Sequence, residues 1–424
     1  MNDPRRSETI AEGRVPAPVA IAPSVEGTDQ EVYRQQLRSR VLDHLRTQGF
    51  ALTDSGVLAA VPDDKDALRR LHEHAVAEQR AAAAKGLWRR EDEFLGRLAN
   101  PQRLQVQKIR PRLVLVENRR SPDGLLWRWA SLHWSVPVSA GYGRRLRFLV
   151  LDAAHHDALI GVIGLGDPVF ALGCRDTWIS WSPADRRERL ACLLDAYVLG
   201  AVPPYNGLLG GKLVALLATS KTVRDVFARR YGHRRTLIAE RDPKAKLALI
   251  TTSSALGRSS IYNRVTRPDK KLAWEPIGFT AGTGDFHLSG SLYRELVDYA
   301  STTMSEGHTH RHERWPGEGF RNRREVLQRA LEALDLPSRQ LRVHGIQREV
   351  FAAPLARNAK EFLCGTDKQL DWQCPAPREL SLYWRKRWAI PRVEREGLPE
   401  FDRESWRLWP LRNYITFGGR SGSE

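Results

Sequence analysis

Apolar residues recur at helical spacing from Asp29 onward: Val32, Leu37, Val41 and Leu45 share one face, and Gly49 supplies a stop. A second helix is predicted to start at Asp63 or Asp64, to use Leu68, Leu71 and Ala75 as its stripe, and to run through alanines 81–84 to Gly86. The pattern then shortens. Leu113–Val116, Trp127–Trp134, Leu146–Leu151, Leu159–Leu165 and Trp178–Trp181 alternate or run apolar over a few residues, which predicts strands. Ser182, Pro183 and Asp185 read as N-cap, first-turn proline and capping acid of a helix with Leu190, Leu193, Leu194 and Tyr197 on one face. An apolar run ends at Val202, a Pro-Pro-Tyr-Asn-Gly loop follows, and a helix is expected from about Leu208 to Ala218, resuming to Arg230. Strands are predicted at Thr236–Glu240 and Leu247–Thr252.

Beyond the Gly282-Thr283-Gly284 loop, Leu292, Leu296 and Tyr299 mark a helix. Asn322 with Glu325 resembles a capping box ahead of Val326, Ala330 and Leu334, closed by Pro337. Leu355, Ala359 and Phe362 predict another helix, and Leu380, Tyr383, Trp384 and Trp388 a last one. The chain thus divides into a disordered arm (1–28, with Pro16, Pro18 and Pro23), an N-terminal helical module (29–104), a core of alternating strands and helices (105–304), a linker rich in His, Glu and Gly (305–320) and a C-terminal helical module (321–424). The expected class is α/β (α+β), with a mixed sheet between helical modules.

Charge narrows the partners. Lys and Arg number 67 against 50 Asp and Glu, a formal net charge of +17, which excludes an acidic solvating protein and favours polyanions. Arg far outnumbers Lys, as a GC-rich genome or a need for guanidinium forks on phosphate would each give. Four cysteines, Cys174, Cys192, Cys364 and Cys374, in a chain without an apolar leader suggest a reduced, cytoplasmic protein with buried thiols. Cys364 and Cys374 lack zinc-knuckle spacing, so no metal is expected. No run of 18 apolar residues exists, so no membrane is expected either.

Five stretches carry candidate chemistry. Tyr205, Asn206, Gly210, Gly211 and Lys212 lie between a strand and a helix, where small residues let backbone N–H groups approach an anion. The glycines equally suit close helix–sheet packing. A Walker A loop is excluded, because Asn206 and Leu213 stand where it needs Gly and Ser or Thr. Arg258, Ser259, Ser260, Tyr262, Asn263 and Arg264 combine two guanidiniums, hydroxyls and an amide, either a clamp for a polar substrate or a polar turn. Asp167 ends an apolar strand, and Arg175 next to Asp176 reads as a substrate contact or as a pair fixing the loop. His344 and Arg348 form a fourth candidate, whereas His308, His310 and His312 read as a solvated run. Arg385, Lys386 and Arg387 between Tyr383, Trp384 and Trp388 mix rings with charge, as nucleic-acid contacts do and as a core-facing helix also does. The flanking cations at 385–387 and the core cations Lys212, Arg258 and Arg264 are expected to form two separate surfaces.

The strand, the Val-Pro-Pro-Tyr run and the Gly-Gly-Lys helix start resemble the pyrophosphate loop of GNAT acetyltransferases. Asn206 and Leu209 depart from that pattern and Gly211 keeps it. The resemblance implies a GNAT-like core and an acetyl-CoA-like ligand. Taken in order, Val136–Arg145, Gly166–Phe170, Arg175–Trp181, Pro203–Lys212, Gly257–Arg264, His344–Arg348 and Tyr383–Trp388 resemble the DruA family of the Druantia anti-phage system. That resemblance covers about residues 30–400 and implies a defence component with other subunits as partners. Joined to the basic charge, it suggests a protein acting on or bound to nucleic acid, DNA favoured, either as a group transferase or as a non-enzymatic adaptor. In the first case Asp167 or Tyr262 would handle a proton. A nuclease is disfavoured, since no paired acids with a following Lys stand at nuclease spacing.

Overall fold

The computed structural model describes residues 27–51, 58, 64–138, 143–235, 242–259, 261–302 and 323–409. The arm apart from residues 27 and 28, the strand expected at Thr236–Glu240, the 305–320 linker with its histidines, Asn322 and Ser260 lie outside the described residues.

Two long helices, α1 (Gly27–Thr47) and α2 (Lys65–Leu87), and short α3 (Glu91–Gly96) lead into β1 (Pro111–Leu115). Asp64 caps α2 as expected, its carboxylate accepting from the Ala67 amide at 3.1 Å. The Trp127–Trp134 run is not a strand. It begins in α4 (Pro122–Ser131), because Ser121 accepts the Gly124 amide and Pro122 occupies the first helical turn. An apolar run buried on most sides hides its period.

The hairpin of β2 (Arg145–Asp152) and β3 (Ala158–Gly166) follows the prediction. Trp178–Trp181 is likewise not a strand: α5 (Gly173–Ile179) covers its first half. The capping box at Ser182 and Asp185 is present, yet α6 ends early (Pro183–Arg189), and Leu193, Leu194 and Tyr197 belong to β4 (Leu193–Ala201). Their helical spacing is a coincidence within a strand largely covered on both faces.

Then come α7 (Gly210–Ala218), α8 (Lys221–Tyr231), β5 (Leu249–Ser253), β6 (Glu275–Phe279), α9 (Gly290–Thr302), α10 (Arg323–Ala333), β7 (Glu349–Pro354), α11 (Ala359–Cys364), α12 (Pro377–Trp384) and α13 (Ile390–Glu396). The 321–424 segment is therefore not purely helical, since β7 joins the sheet and takes up the residues leading to Leu355.

One mixed sheet organises the chain in the order β1-β2-β3-β4-β5-β7-β6. Every neighbouring pair is antiparallel except β4 with β5. One face packs on α7, α8 and α12 through Leu213, Leu216, Phe227 and Trp384. The other packs on α3 and α4 through Phe94, Trp127 and Trp129. A separate core joins α1 and α2 to α9 and α10. Within β4, Gly164 of β3 pairs with Val198 and Leu165 with Ala196, so Tyr197 is an extra, bulged residue.

Candidate functional site

The strand-to-helix loop after β4 is tightly wound. Leu209 adopts a left-handed conformation (φ 59°), and a Cβ on Gly210 would stand 2.5 Å from the Tyr205 carbonyl oxygen, so only glycine fits there. The turns satisfy their own donors: Leu208 and Gly210 amides reach the Tyr205 carbonyl, Leu209 reaches that of Asn206, and Lys212 reaches that of Leu209. The Asn206 side chain accepts the Gly207 amide at 2.7 Å. Tyr205 is buried and donates to Asp152 at 2.9 Å, an anchor to β2 that burial and the neighbouring carboxylate keep protonated. The loop thus offers few free N–H groups. Its remaining resource is side-chain charge.

A cavity of about 450 Å³ opens at this helix start, lined by Gly200 of β4, Asn206, Gly211, Lys212, Ile261 and Trp406. A Cβ on Gly211 would lie 3.3 Å from Ile261, which brings the 205–212 and 258–264 segments to one cleft. Lys212 Nζ donates to the Arg264 carbonyl at 3.3 Å and sits 5.3 Å from the Trp388 ring centre. Burial lowers the Lys212 pKa, and Arg264 and Arg387 lower it further. These three cations form no ion pair among the described residues. The expectation of two separate basic surfaces is corrected: Arg387 reaches Lys212 electrostatically because α12 packs on α7, with Trp384 Nε1 donating to the Leu209 carbonyl at 3.1 Å. Arg385 hydrogen-bonds the Gln107 carbonyl, while Lys386 is exposed.

Sequence reasoning missed Asp195. The parallel ladder of β4 and β5 holds only for Leu193–Leu249, Leu194–Ile250 and Asp195–Thr251. Thereafter hydroxyls bridge the strands, Thr251 Oγ1 donating to Asp195 at 2.9 Å and Thr252 Oγ1 to the Ala196 carbonyl at 2.8 Å. Burial raises the Asp195 pKa to about 6 against the pull of Thr251, Arg175 and Arg145. Tyr262 stands at the same fork beside Thr252, its ring against Trp274 and Phe351, and burial with Asp195 pushes its pKa up to about 12. Asp195 shares the face of Leu193 and Leu249, while Tyr262 packs on the α7 side, so the two groups flank the fork from opposite faces of the sheet and neither lines the 450 Å³ cavity. Had Leu193–Leu199 been read as a strand, one acid within an apolar run would have been the signal.

Other candidates lie apart from this fork. Asp167 pairs with the Arg144 guanidinium at 2.6 Å and accepts the Arg144 amide at 2.8 Å, closing the turn after β3. Arg175 is fully buried, binds Asp176 and donates to the Val169 and Phe170 carbonyls, so its donors are spent within the fold. Ser259 caps the turn to Ile261 and Tyr262, and Arg258, Asn263 and Arg264 are exposed. His344 and Arg348 join a different cluster, Arg348 reaching His72 of α2 at 3.1 Å. The four cysteines are free, and only Cys192 is fully buried. Among the described residues no group of three or more His, Cys, Asp or Glu could hold a metal, and no helix is long and apolar enough to cross a membrane.

No solved structure matches the chain. A curated relative, the Druantia protein DruA of Escherichia coli strain UMEA 4076-1, is 40% identical over 383 residues, covering 90% of this chain and 91% of the relative. The sequence model described as "Druantia protein DruA" matches residues 62–365, and with that match and that relative, the chain belongs to the Druantia DruA family.

Proposed function

We propose that this component of an anti-phage defence system is a cytoplasmic, nucleic-acid-directed group transferase with a GNAT-like core. The observation that carries this reading is the β4–β5 fork, with Asp195 and Tyr262 beside it and an acid-free cluster of three cations at the adjoining helix start. In an open sheet, ligands bind beyond the carboxyl ends of adjacent parallel strands. β4, the Gly-rich loop and α7 supply the strand-loop-helix part of the GNAT resemblance, whose closing strand at Thr236–Glu240 lies outside the described residues.

An acetyl-CoA-like ligand fits the charge of this cleft, and when bound supplies an activated acyl group. Because the loop amides are largely paired with their own turns, Lys212, Arg264 and Arg387 would hold its phosphates. Exposed Arg258, Lys386 and Arg387 would guide a nucleic-acid strand, DNA in the favoured case, toward the same mouth. Other subunits of the defence system are the expected protein partners.

The self-satisfied loop favours one second reading, an adaptor whose core no longer takes a cofactor. Calorimetry with CoA and acetyl-CoA on the full chain separates the two. Transferase function predicts saturable binding lost in the Gly211→Asp, Lys212→Glu double variant, together with loss of phage protection while the fold persists. No binding by the native chain, or full protection by the variant, leaves only the adaptor. For the nucleic-acid claim, DNA affinity should fall steeply with salt, and Arg387→Gln should lower the slope by about 1. A flat salt response would refute it.

A further inference from the structure

A second basic concavity lies across the sheet from α7. We propose that a pocket between α2, α4, β2 and β4 binds a phosphate monoester through Arg119, Arg128 and Arg147. Its volume is about 260 Å³, and its floor is Trp127 and Tyr197. This is below the roughly 300 Å³ at which drug-sized sites begin, so it suits a phosphoryl group with part of its ester rather than a whole nucleotide.

The three guanidiniums are held by the fold and not by acids. Arg119 stands at the tip of the turn from β1 into α4, which the Asn118 side chain fixes by accepting the Arg120 amide at 2.8 Å. Arg128 projects from α4. Arg147 projects from β2 with its guanidinium 5.4 Å from the Trp127 ring centre, and Arg145, two residues earlier, lies 4.3 Å from that of Tyr197. Aromatic faces thus position Arg147 and Arg145 without an acid, and Arg147 also reaches the Tyr197 hydroxyl. None of the four side chains enters an ion pair among the described residues.

Two further observations suit the pocket to an anion. The Tyr197 hydroxyl, in the pocket wall, is buried with only Arg147 in reach, whereas Arg145 Nε, also buried and unpaired, lies outside the lining and within the field of Asp195. Such orphaned groups call for an explanation. Burial, then Arg119, lowers the Arg128 pKa. Burial likewise lowers that of Arg147, and Arg119 and Arg145 add to it while Tyr197 opposes them. Like charges brought together without a counter-charge are stabilised by a bound anion. A monoester carries about −1.5 to −2 near neutrality, against −1 for a chain-internal diester, and answers three guanidiniums better. The ester has two sources, a free nucleotide or the 5′ end of a strand.

The test compares the full chain's affinity for a 5′-phosphorylated oligonucleotide, its 5′-hydroxyl counterpart and a nucleoside monophosphate. A strand-end site predicts at least tenfold tighter binding of the phosphorylated strand. A free-nucleotide site predicts saturable binding of the monophosphate. Either preference should disappear in Arg119→Gln, an exposed change that should leave the melting temperature unmoved, and should weaken in Arg128→Gln. Lys212→Gln should leave it intact, which separates this pocket from the α7 cleft. Equal affinity for both strands with no monophosphate binding, or a preference that survives Arg119→Gln or vanishes in Lys212→Gln, would overturn the proposal.

Discussion

Replacing Asp195 with Asn should make the protein more stable at alkaline pH. In the folded chain burial holds the Asp195 carboxyl at about 6, against an ordinary 3.8. At about 1.4 kcal/mol per pH unit, that gap means ionised Asp195 costs the fold about 3 kcal/mol. The direction follows from linkage. A raised acid pKa gives stability that is fully present below 3.8 and is lost as pH rises through about 6. The amide carries no charge, and its oxygen can still accept from Thr251. Its NH2 needs partners that the site supplies only in part, which takes back about 1 kcal/mol. Asp195→Asn should therefore be about 1–3 kcal/mol more stable than the native chain at pH 8, and the advantage should vanish toward pH 4. The assay is urea unfolding followed by tryptophan fluorescence at several pH values, read as the difference between the two proteins. A difference that stays flat from pH 4 to 8 would refute the claim that this carboxyl is held against its own ionisation.

Two further outcomes follow from buried charge elsewhere. His72, His287 and His344 are buried, and desolvation with nearby cations or histidines lowers each pKa to about 4. Folding thus keeps them neutral, so stability present above 6.5 should be lost as pH falls from 6.5 to about 4, and His287→Gln, which can still donate to the Leu341 carbonyl, should flatten that acid limb in pH-dependent melting. Glu91, 1% exposed, accepts from Trp129 Nε1 at 3.0 Å and from the Leu408 and Trp409 amides at 2.7 and 3.2 Å. Glu91→Ala should cost about 3–5 kcal/mol and release the 403–409 segment to limited proteolysis, whereas an uncut segment would show that other contacts hold it.

Much of the sheet was legible because β1, β2, β3 and β5 are short apolar runs set off by turns. The errors share one cause. Trp127–Trp134 and Leu190–Tyr197 are apolar on most sides, so neither period 2 nor period 3.6 is diagnostic in them, and local signals should have decided. Ser121-Pro122 was such a signal for α4 and went unused. For β4 no cap existed to find, and a leucine spacing of three and four imitated a helix face. That misreading hid Asp195, which on a helix would have been an ordinary solvated acid. β6 contains Pro276 and Gly278, which demote a strand on sequence, and it is tolerated as the sheet's edge. The loop at 205–212 and the 258–264 segment stand out in the sequence, but the approach of Ile261 to Gly211 depends on the β4–β5 pairing, which no local pattern encodes.

β4 also explains how one strand can serve two sites. A one-residue slip in a strand moves every later side chain to the opposite face. The Tyr197 bulge makes such a slip in place: Ala196 packs in the α7-side core, Val198, two residues on, packs in the α4-side core, and Leu199 and Ala201 return to the α7 side. Without the bulge, Val198 would face α7 and Leu199 would face α4. Tyr197 faces the arginine pocket because it alternates with Ala196, the bulge returns Leu199 and Ala201 to the α7 side, where Ala201 lines the cleft, and Asp195, ahead of the bulge, also faces away from α7. The positive charge read from the composition thus resolves into two basic concavities joined by a single strand.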